Sequence, residues 1–360
     1  MTILISLFVL IDLFCGYFRL LGRHKTRNNF MLGSPYSRSE SPFAPTPELW
    51  HEPTEPATAA IEMKMKKPQV NRPSSIFEPS RLMELSTTCH GSRILQEELK
   101  KMSKLGDSLQ LNKVANTVLS CNSRLLELCM DKFGNYFVQV LLTCVDAKML
   151  ARFASALTTD AGPVSFAKLC VHPFGSHVMQ VLIESSKDNR LIAGKIAESM
   201  IQNIVFIATD FLGSICMAQA VKSLPTGNKL LSSIAPLSKE LAMSRHGHTV
   251  LIETLEKGSS QTLGAIEKIL VDNLEDILSS DFGFRVVVHA LELEKAGKVS
   301  PKHSRVRLFV RAVELNQVTF KLIDYIIKNF EDHEAVQLEL IPRIVDIVKA
   351  AGHPLPPQDG

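Results

Sequence analysis

Aromatic residues are scarce in this chain. One tryptophan, four tyrosines and an aromatic share of 6% stand against 45% hydrophobic residues over 360 positions, so whatever core is buried is aliphatic, as in helical repeat arrays. Charge of one sign is also missing. A net charge of +3 neither demands nor forbids a polyanionic partner, because a basic stripe on one face can be offset by acidic residues elsewhere. The seven cysteines (Cys15, Cys89, Cys121, Cys129, Cys144, Cys170 and Cys216) contain no Cys-x-x-Cys pair; this odd, scattered set reads as reduced thiols of the cytosol or nucleus. No Ser/His/Asp set, paired catalytic carboxylates or phosphate-cradling glycine loop stands out, so the chain reads as a non-enzyme that needs no cofactor. His246 and His248 flank Gly247 with no third ligand nearby in sequence, and they read as a wedge and a surface residue rather than a metal site.

Residues 1–22 are apolar, yet they lack a basic leading region, carry Asp12 inside the run and show no clear small-residue cleavage site. They match a signal peptide or membrane anchor incompletely, and a buried extra segment is the other reading. Arg23, Lys25 and Arg27 follow, so an anchor would leave the rest of the chain in the cytosol. A cytoplasmic location is expected. Residues 23–79 read as a disordered linker, since nine of the eighteen prolines lie between 28 and 79 among many Ser and Thr. Trp50 with Phe43 is either a docking motif or linker, and Lys64, Lys66 and Lys67 read as solvated. Residues 80–350 form the structured part, with a loose tail at 351–360.

From Pro79 onward one short pattern recurs. It is clearest at Asp131–Gln139, DKFGNYFVQ, and its glycines are Gly91, Gly134, Gly175, Gly213, Gly247 and Gly283, spaced by 43, 41, 38, 34 and 36 residues. Such a period is the mark of a repeat architecture. Three residues before each glycine stand Thr88, Asp131, His172, Asp210, Ser244 and Ser280. Five of these carry a side-chain oxygen able to cap a helix, so a helix is predicted to start there. The residue before the glycine is bulky (His90, Phe133, Phe174, Leu212, His246, Phe282) and reads as a wedge between repeats. Third, fourth and eighth positions after the glycine are apolar in all six copies, for example Phe137, Val138 and Leu142; this is the spacing of one buried helical stripe. Each copy is preceded by two further helical stretches, such as SLQLNKVANTVLS and RLLELCM before the second.

The first and fifth positions after the glycine lie one turn apart on another face. In the first three copies both are polar and the second position is flat: Ser92, Arg93 and Gln96; Asn135, Tyr136 and Gln139; Ser176, His177 and Gln180. Two hydrogen-bonding groups beside a planar one can clasp a base edge while the plane covers the ring. These copies resemble the repeats of the Pumilio family of single-stranded RNA-binding proteins, over roughly 86–330. The resemblance implies an all-α, right-handed α-solenoid of three-helix repeats in which the third helix of each faces one base. It further implies that the Ser/Arg/Gln and Ser/His/Gln sets read adenine and the Asn/Tyr/Gln set uracil. With the RNA antiparallel to the protein, the readout is 5′-AUA-3′, in messenger RNA 3′ untranslated regions, with co-repressor proteins on the outer face.

Later copies depart from that pattern. They carry Ser214, Ile215 and Ala218; His248, Thr249 and Ile252; Phe284, Arg285 and Val288. Alanine, isoleucine and valine neither donate nor accept, and no Ser-Asn-x-x-Glu set, which reads guanine in the family, is present. Ser214, His248, Phe284 and Arg285 remain candidate RNA contacts, the last three by stacking. Aligning Leu315 with the glycine gives a weak seventh copy with Asn316, Gln317 and Phe320 at the reading positions, and a final helix near 339–350 caps the stack. Two functions are therefore expected: a sequence-selective RNA binder that represses or destabilises messages, or a degenerate scaffold for proteins, as in ribosome biogenesis.

Overall fold

A computed structural model describes residues 76–225, 227–298, 304–316 and 318–350. The expectations for 1–22, for nearly all of the linker, for the tail and for Gln317 fall outside them. Among the described residues every regular element is helical.

Helices form rows because each repeat lays the same three elements against those of the next. The third helices, Cys89–Leu105, Gly134–Cys144, Gly175–Ser185, Phe211–Ser223, Gly247–Lys257 and Asp281–Lys295, each pack on the following one. The first helices make a second row: Ser108–Leu119, Ala147–Ser155, Arg190–Ile201, Gly227–Ile234 and Ser260–Asp272. Short middle helices such as Asn122–Met130 and Gly162–Val171 pack on the third helix of their own repeat. The result is an α-solenoid of three-helix units. Its core is the predicted apolar stripe: Leu95 and Leu99, Phe137, Val138 and Leu142, Val178, Met179 and Ile183, and their counterparts through Leu291 are buried, while Ile94 at the start of the row is only half-buried.

All five predicted caps form, and so does one at the sixth position, which lacks a side-chain oxygen. Asp131 Oδ1 accepts from the backbone N–H of Phe133 (2.9 Å) and Gly134 (2.7 Å). Asp210 Oδ1 does the same for Leu212 and Gly213, and Thr88, Ser244 and Ser280 each accept one such bond. His172 takes this place with its ring: Nδ1 accepts from Phe174 and Gly175, both at 3.2 Å, which puts the proton of the neutral imidazole on Nε2.

The recurring glycine answers a steric demand, not a backbone one. At Gly134 a Cβ would stand 2.8 Å from the carbonyl oxygen of Leu128, and at Gly175 2.9 Å from that of Leu169. In every copy the obstructing residue is six positions upstream, at the end of the middle helix (Leu85, Leu128, Leu169, Ile207, Leu241, Ile277). The close approach lets the middle helix turn directly into the third.

The sequence register of the seventh copy is corrected by the structure. Asn316 is no reading residue; its Oδ1 accepts from the backbone N–H of Val318 (2.9 Å) and Thr319 (3.1 Å), the capping role of Asp131. Thr319, fully buried, thus stands where the glycine would, and the helix Phe320–Asn329 buries Leu322, Ile323 and Ile327 at the third, fourth and eighth positions after it. Phe320, Lys321 and Asp324 then occupy the face positions. A side chain fits at Thr319 because no middle helix precedes it among the described residues 313–316 and 318–319; the Thr319 hydroxyl donates to the Glu314 carbonyl. Buried Arg305 ties this end to the sixth repeat, donating to Glu267 and, at 3.0 Å, to the Ala290 carbonyl. Beyond it, Val336–Leu340 and Ile341–Ala350 extend the row of first helices.

Gly134→Ala should destabilise the domain by about 1–3 kcal/mol through overpacking. Gly264→Ala, in a helix interior with nothing within 4 Å of the new methyl, should stabilise it by about 0.5–1 kcal/mol. Urea unfolding of the two variants reads the sign of each.

Candidate nucleic-acid interface

The third helices place their first, second and fifth post-glycine residues on one continuous face, at three depths. Second-position side chains are outermost: Arg93, Tyr136, His177, Thr249 and Arg285 are exposed, and Ile215 is half-buried. Tyr136 leaves 42% of its surface open. Fifth-position groups Gln96, Gln139, Gln180, Ala218 and Ile252 are half-buried, whereas Val288 is buried. First-position residues lie beneath. Ser92 (2% exposed), Asn135 (1%), Ser176, Ser214 and His248 are all buried, and Phe284 is half-buried.

Depth changes the part the first-position residues play. The sequence suggests two polar groups side by side at the surface; the structure stacks one under the other. In the second repeat Asn135 Nδ2 donates to the carbonyls of Asp131 (2.8 Å) and Lys132 (3.0 Å), while its Oδ1 accepts from Gln139 Nε2 at 2.8 Å. Backbone carbonyls only accept, so the Asn135 amide has one orientation, and Gln139 must turn its nitrogen inward and its oxygen outward. In the first repeat Ser92 Oγ donates to the carbonyl of Phe133 in the next repeat (2.8 Å) and accepts from Gln96 Nε2 (3.1 Å). Again the glutamine polarity is set from below. The third repeat lacks this relay: Ser176 Oγ is buried with no hydrogen-bond partner among the described residues.

The wedge residues close the joints beneath the face. Phe133, Phe174, Leu212, His246 and Phe282 are half-buried; His90, with no earlier third helix beside it among the described residues, is exposed. Their contacts differ by repeat. Phe133 supplies its carbonyl to Ser92, Phe282 sets its ring 5.1 Å from that of His248, and His246 lies 5.4 Å from Phe211, edge-on. These contacts account for both imidazoles of the His-Gly-His run. Ser214 Oγ donates to the Phe211 carbonyl of its own helix start (2.8 Å). Hence among the later candidates Ser214 and His248 are tied into packing, Phe284 is half covered, and only Arg285 stands clear.

Sequence reasoning missed the polar links between repeats, among them Lys229 to Glu198 and Lys239 to Asp276, and one that joins two third helices. Glu184 Oε2 accepts from Gln219 Nε2 (2.7 Å) and Ser223 Oγ (3.1 Å), joining the far ends of the third and fourth third-row helices. Lys187 beside it holds the Glu184 carboxyl below its ordinary value. Among the thiols, Cys129 is sealed in the core and burial pushes it up to about 12; Cys121, half-buried at the start of a middle helix, is lowered by the Ser123 hydroxyl. Among the described residues no group of three or more His, Cys, Asp or Glu side chains gathers to hold a metal, and no helix is long and apolar enough to cross a membrane.

The geometry therefore defines an α-solenoid with flat, exposed side chains set over polar pairs on its first three repeats. A family model described as "Pumilio-family RNA binding repeat" matches residues 81–103, 124–152 and 165–192, which lie in those three repeats. It is 28% identical over 163 residues to Pumilio homolog 9 of Arabidopsis thaliana, covering 45% of this chain and 27% of that protein. Pumilio homolog 11 of the same plant is 23% identical over 241 residues, 65% of this chain and 41% of the relative. The chain thus spans well under half the length of these relatives. In fold it is similar to the Puf4 RNA binding domain bound to the HO endonuclease RNA 3′ UTR recognition sequence, with a TM-score of 0.56 at 23% identity over 75% of this chain and 79% of that one. The yeast Puf5p RNA-binding domain bound to AAT2 RNA gives 0.55 at 18% identity, over 75% and 77%.

Two measurements probe this layering. Ser92→Ala strands the Gln96 amide and a carbonyl, and should cost about 1 kcal/mol, whereas Ser176→Ala removes a hydroxyl with nothing to bond and should be near neutral; chemical denaturation separates them. Burial holds the His248 imidazole below its ordinary value. The unfolded chain, with a histidine pKa of about 6.5, binds that proton more readily. This contribution to stability is complete above the unfolded value and is lost as the pH falls through the folded one. The drop in melting temperature from neutral to mildly acid buffer should be smaller for His248→Phe than for the parent chain.

Proposed function

We propose that the chain binds single-stranded RNA selectively through its first three repeats and acts on messenger RNAs through their 3′ untranslated regions. The observation that carries this reading is the pair of oriented glutamines, Gln139 on Asn135 and Gln96 on Ser92, each beside an exposed flat group, Tyr136 or Arg93. A glutamine held by its nitrogen keeps an acceptor oxygen and a second N–H for a base edge, and the neighbouring plane covers the ring. Ser92, Asn135 and Ser176 serve as positioning residues under the face; Gln96, Gln139 and Gln180 meet the bases, with Arg93, Tyr136 and His177 stacked between them. The proposed readout is 5′-AUA-3′ across repeats three, two and one. Support also comes from the relatives in fold, whose domains were solved with RNA bound.

Repeats four to six offer Ala218, Ile252 and Val288 where the glutamines would be. They add at most stacking, through Arg285, and the RNA element read by base edges is short. The loss of those polar groups is the one observation that favours protein binding as a second role for the later half.

Gln139→Ala, which leaves buried Asn135 in place, should weaken binding to AUA-containing RNA by roughly 5- to 150-fold, the equivalent of about 1–3 kcal/mol for one bidentate base contact. Tyr136→Ala should lose affinity for every base at that position alike, since stacking is sequence-tolerant. Fluorescence anisotropy with AUA-core and scrambled-core oligonucleotides reads both. Equal affinity of the parent chain for the two cores would leave the scaffold reading in possession.

A further inference from the structure

The third helix of the first repeat runs longer than its neighbours. It ends at Leu105, fourteen residues past Gly91, whereas the next four end ten past their glycines and the sixth twelve. The surplus of four residues over the second repeat's helix projects about 6 Å at the α-helical rise. Past Leu99 only Met102 of this helix packs on the core, and it is half-buried. Lys104, exposed, lies in the extension, and exposed Lys100 and Lys101 stand in the turn just before it. Lys101 is paired with Glu98 at 2.6 Å, while Lys100 and Lys104 have no ion pair among the described residues.

Direction matters more than number. At about 100° per residue, Gln96, Lys100, Arg93 and Lys104 fall within a sector of roughly 80°, so the two unpaired lysines continue the line of the first repeat's reading face. Glu97 lies about 20° beyond one edge of that sector and buried Leu99 about 60° beyond the other. A lysine in the last turn complements the helix dipole, which accounts for Lys104 but not for the alignment of Lys100 with Arg93 and Gln96. The corresponding position to Lys100 is Thr143, Glu184, Lys222, Glu256 and Glu292 in the second to sixth repeats, and none of these has a lysine four residues on, so the pair of lysines is a property of this end of the solenoid.

We propose that Lys100 and Lys104 form a phosphate-binding extension of the interface, gripping the backbone of nucleotides that flank the read element on the side of the first repeat. The proposal rests on the RNA-binding reading given above. Lysines without base-edge partners contribute affinity and salt dependence, not sequence preference.

The test uses the full chain, an AUA-core oligonucleotide, and two versions lengthened by a few nucleotides at the 5′ or the 3′ end. The 3′ extension, on the side of the first repeat, should raise affinity and the 5′ extension should not. Lys100→Gln with Lys104→Gln should abolish the gain and make the slope of log K against log salt shallower by roughly 1.4, at about 0.7 per phosphate contact on a single strand. Preference for the AUA core over a scrambled core should be unchanged by that variant. A gain that survives the double substitution, or no gain from the 3′ extension, overturns the phosphate grip while leaving base reading intact. A parent chain blind to the core sequence overturns base reading; the grip then stands or falls on whether the variant still flattens the salt slope on the extended oligonucleotides.

Discussion

The close approach of a glycine to a carbonyl six residues upstream governs this architecture. Where Gly134 meets the Leu128 carbonyl, the chain leaves a middle helix and enters a third helix within four residues, 131–134. The cap at Asp131 satisfies the backbone donors that this abrupt turn exposes. Together, cap and glycine fix the angle between the two helices, and repetition of that angle keeps the third helices in one row. The functional face follows from it: a first-position residue lies deep because the following repeat's third helix is drawn against it.

Much of this was legible in the sequence because it is local chemistry repeated. Capping residues, the glycine and the stripe represented by Phe137, Val138 and Leu142 each act within one repeat, and six copies average out the exceptions. His172 shows the limit of reasoning by side-chain oxygen, since a ring nitrogen does the same work. Thr319 shows the limit of reasoning by marker. Where no middle helix precedes it among the described residues, the steric demand for glycine disappears and the repeat loses its signature while keeping its cap and its buried stripe.

The depth of Ser92, Asn135 and Ser176 was not legible, because it depends on atoms of another repeat or of the helix start. Helical spacing puts the first and fifth positions on one face but says nothing of how closely the next helix covers the first. Nor does it distinguish Ser92 from Ser176. Both are serines four residues before a glutamine, yet one finds the Phe133 carbonyl and the other finds nothing.

The acceptor that anchors Ser92 is a main-chain oxygen, and this has a consequence for how such an array diversifies. Phe133 supplies that oxygen whatever its side chain, so the support under one repeat's contact group is independent of its neighbour's identity. Bulky residues as different as phenylalanine, leucine and histidine occupy the joint position along the chain. Contact groups in such an array can be exchanged one module at a time, without a compensating change next door.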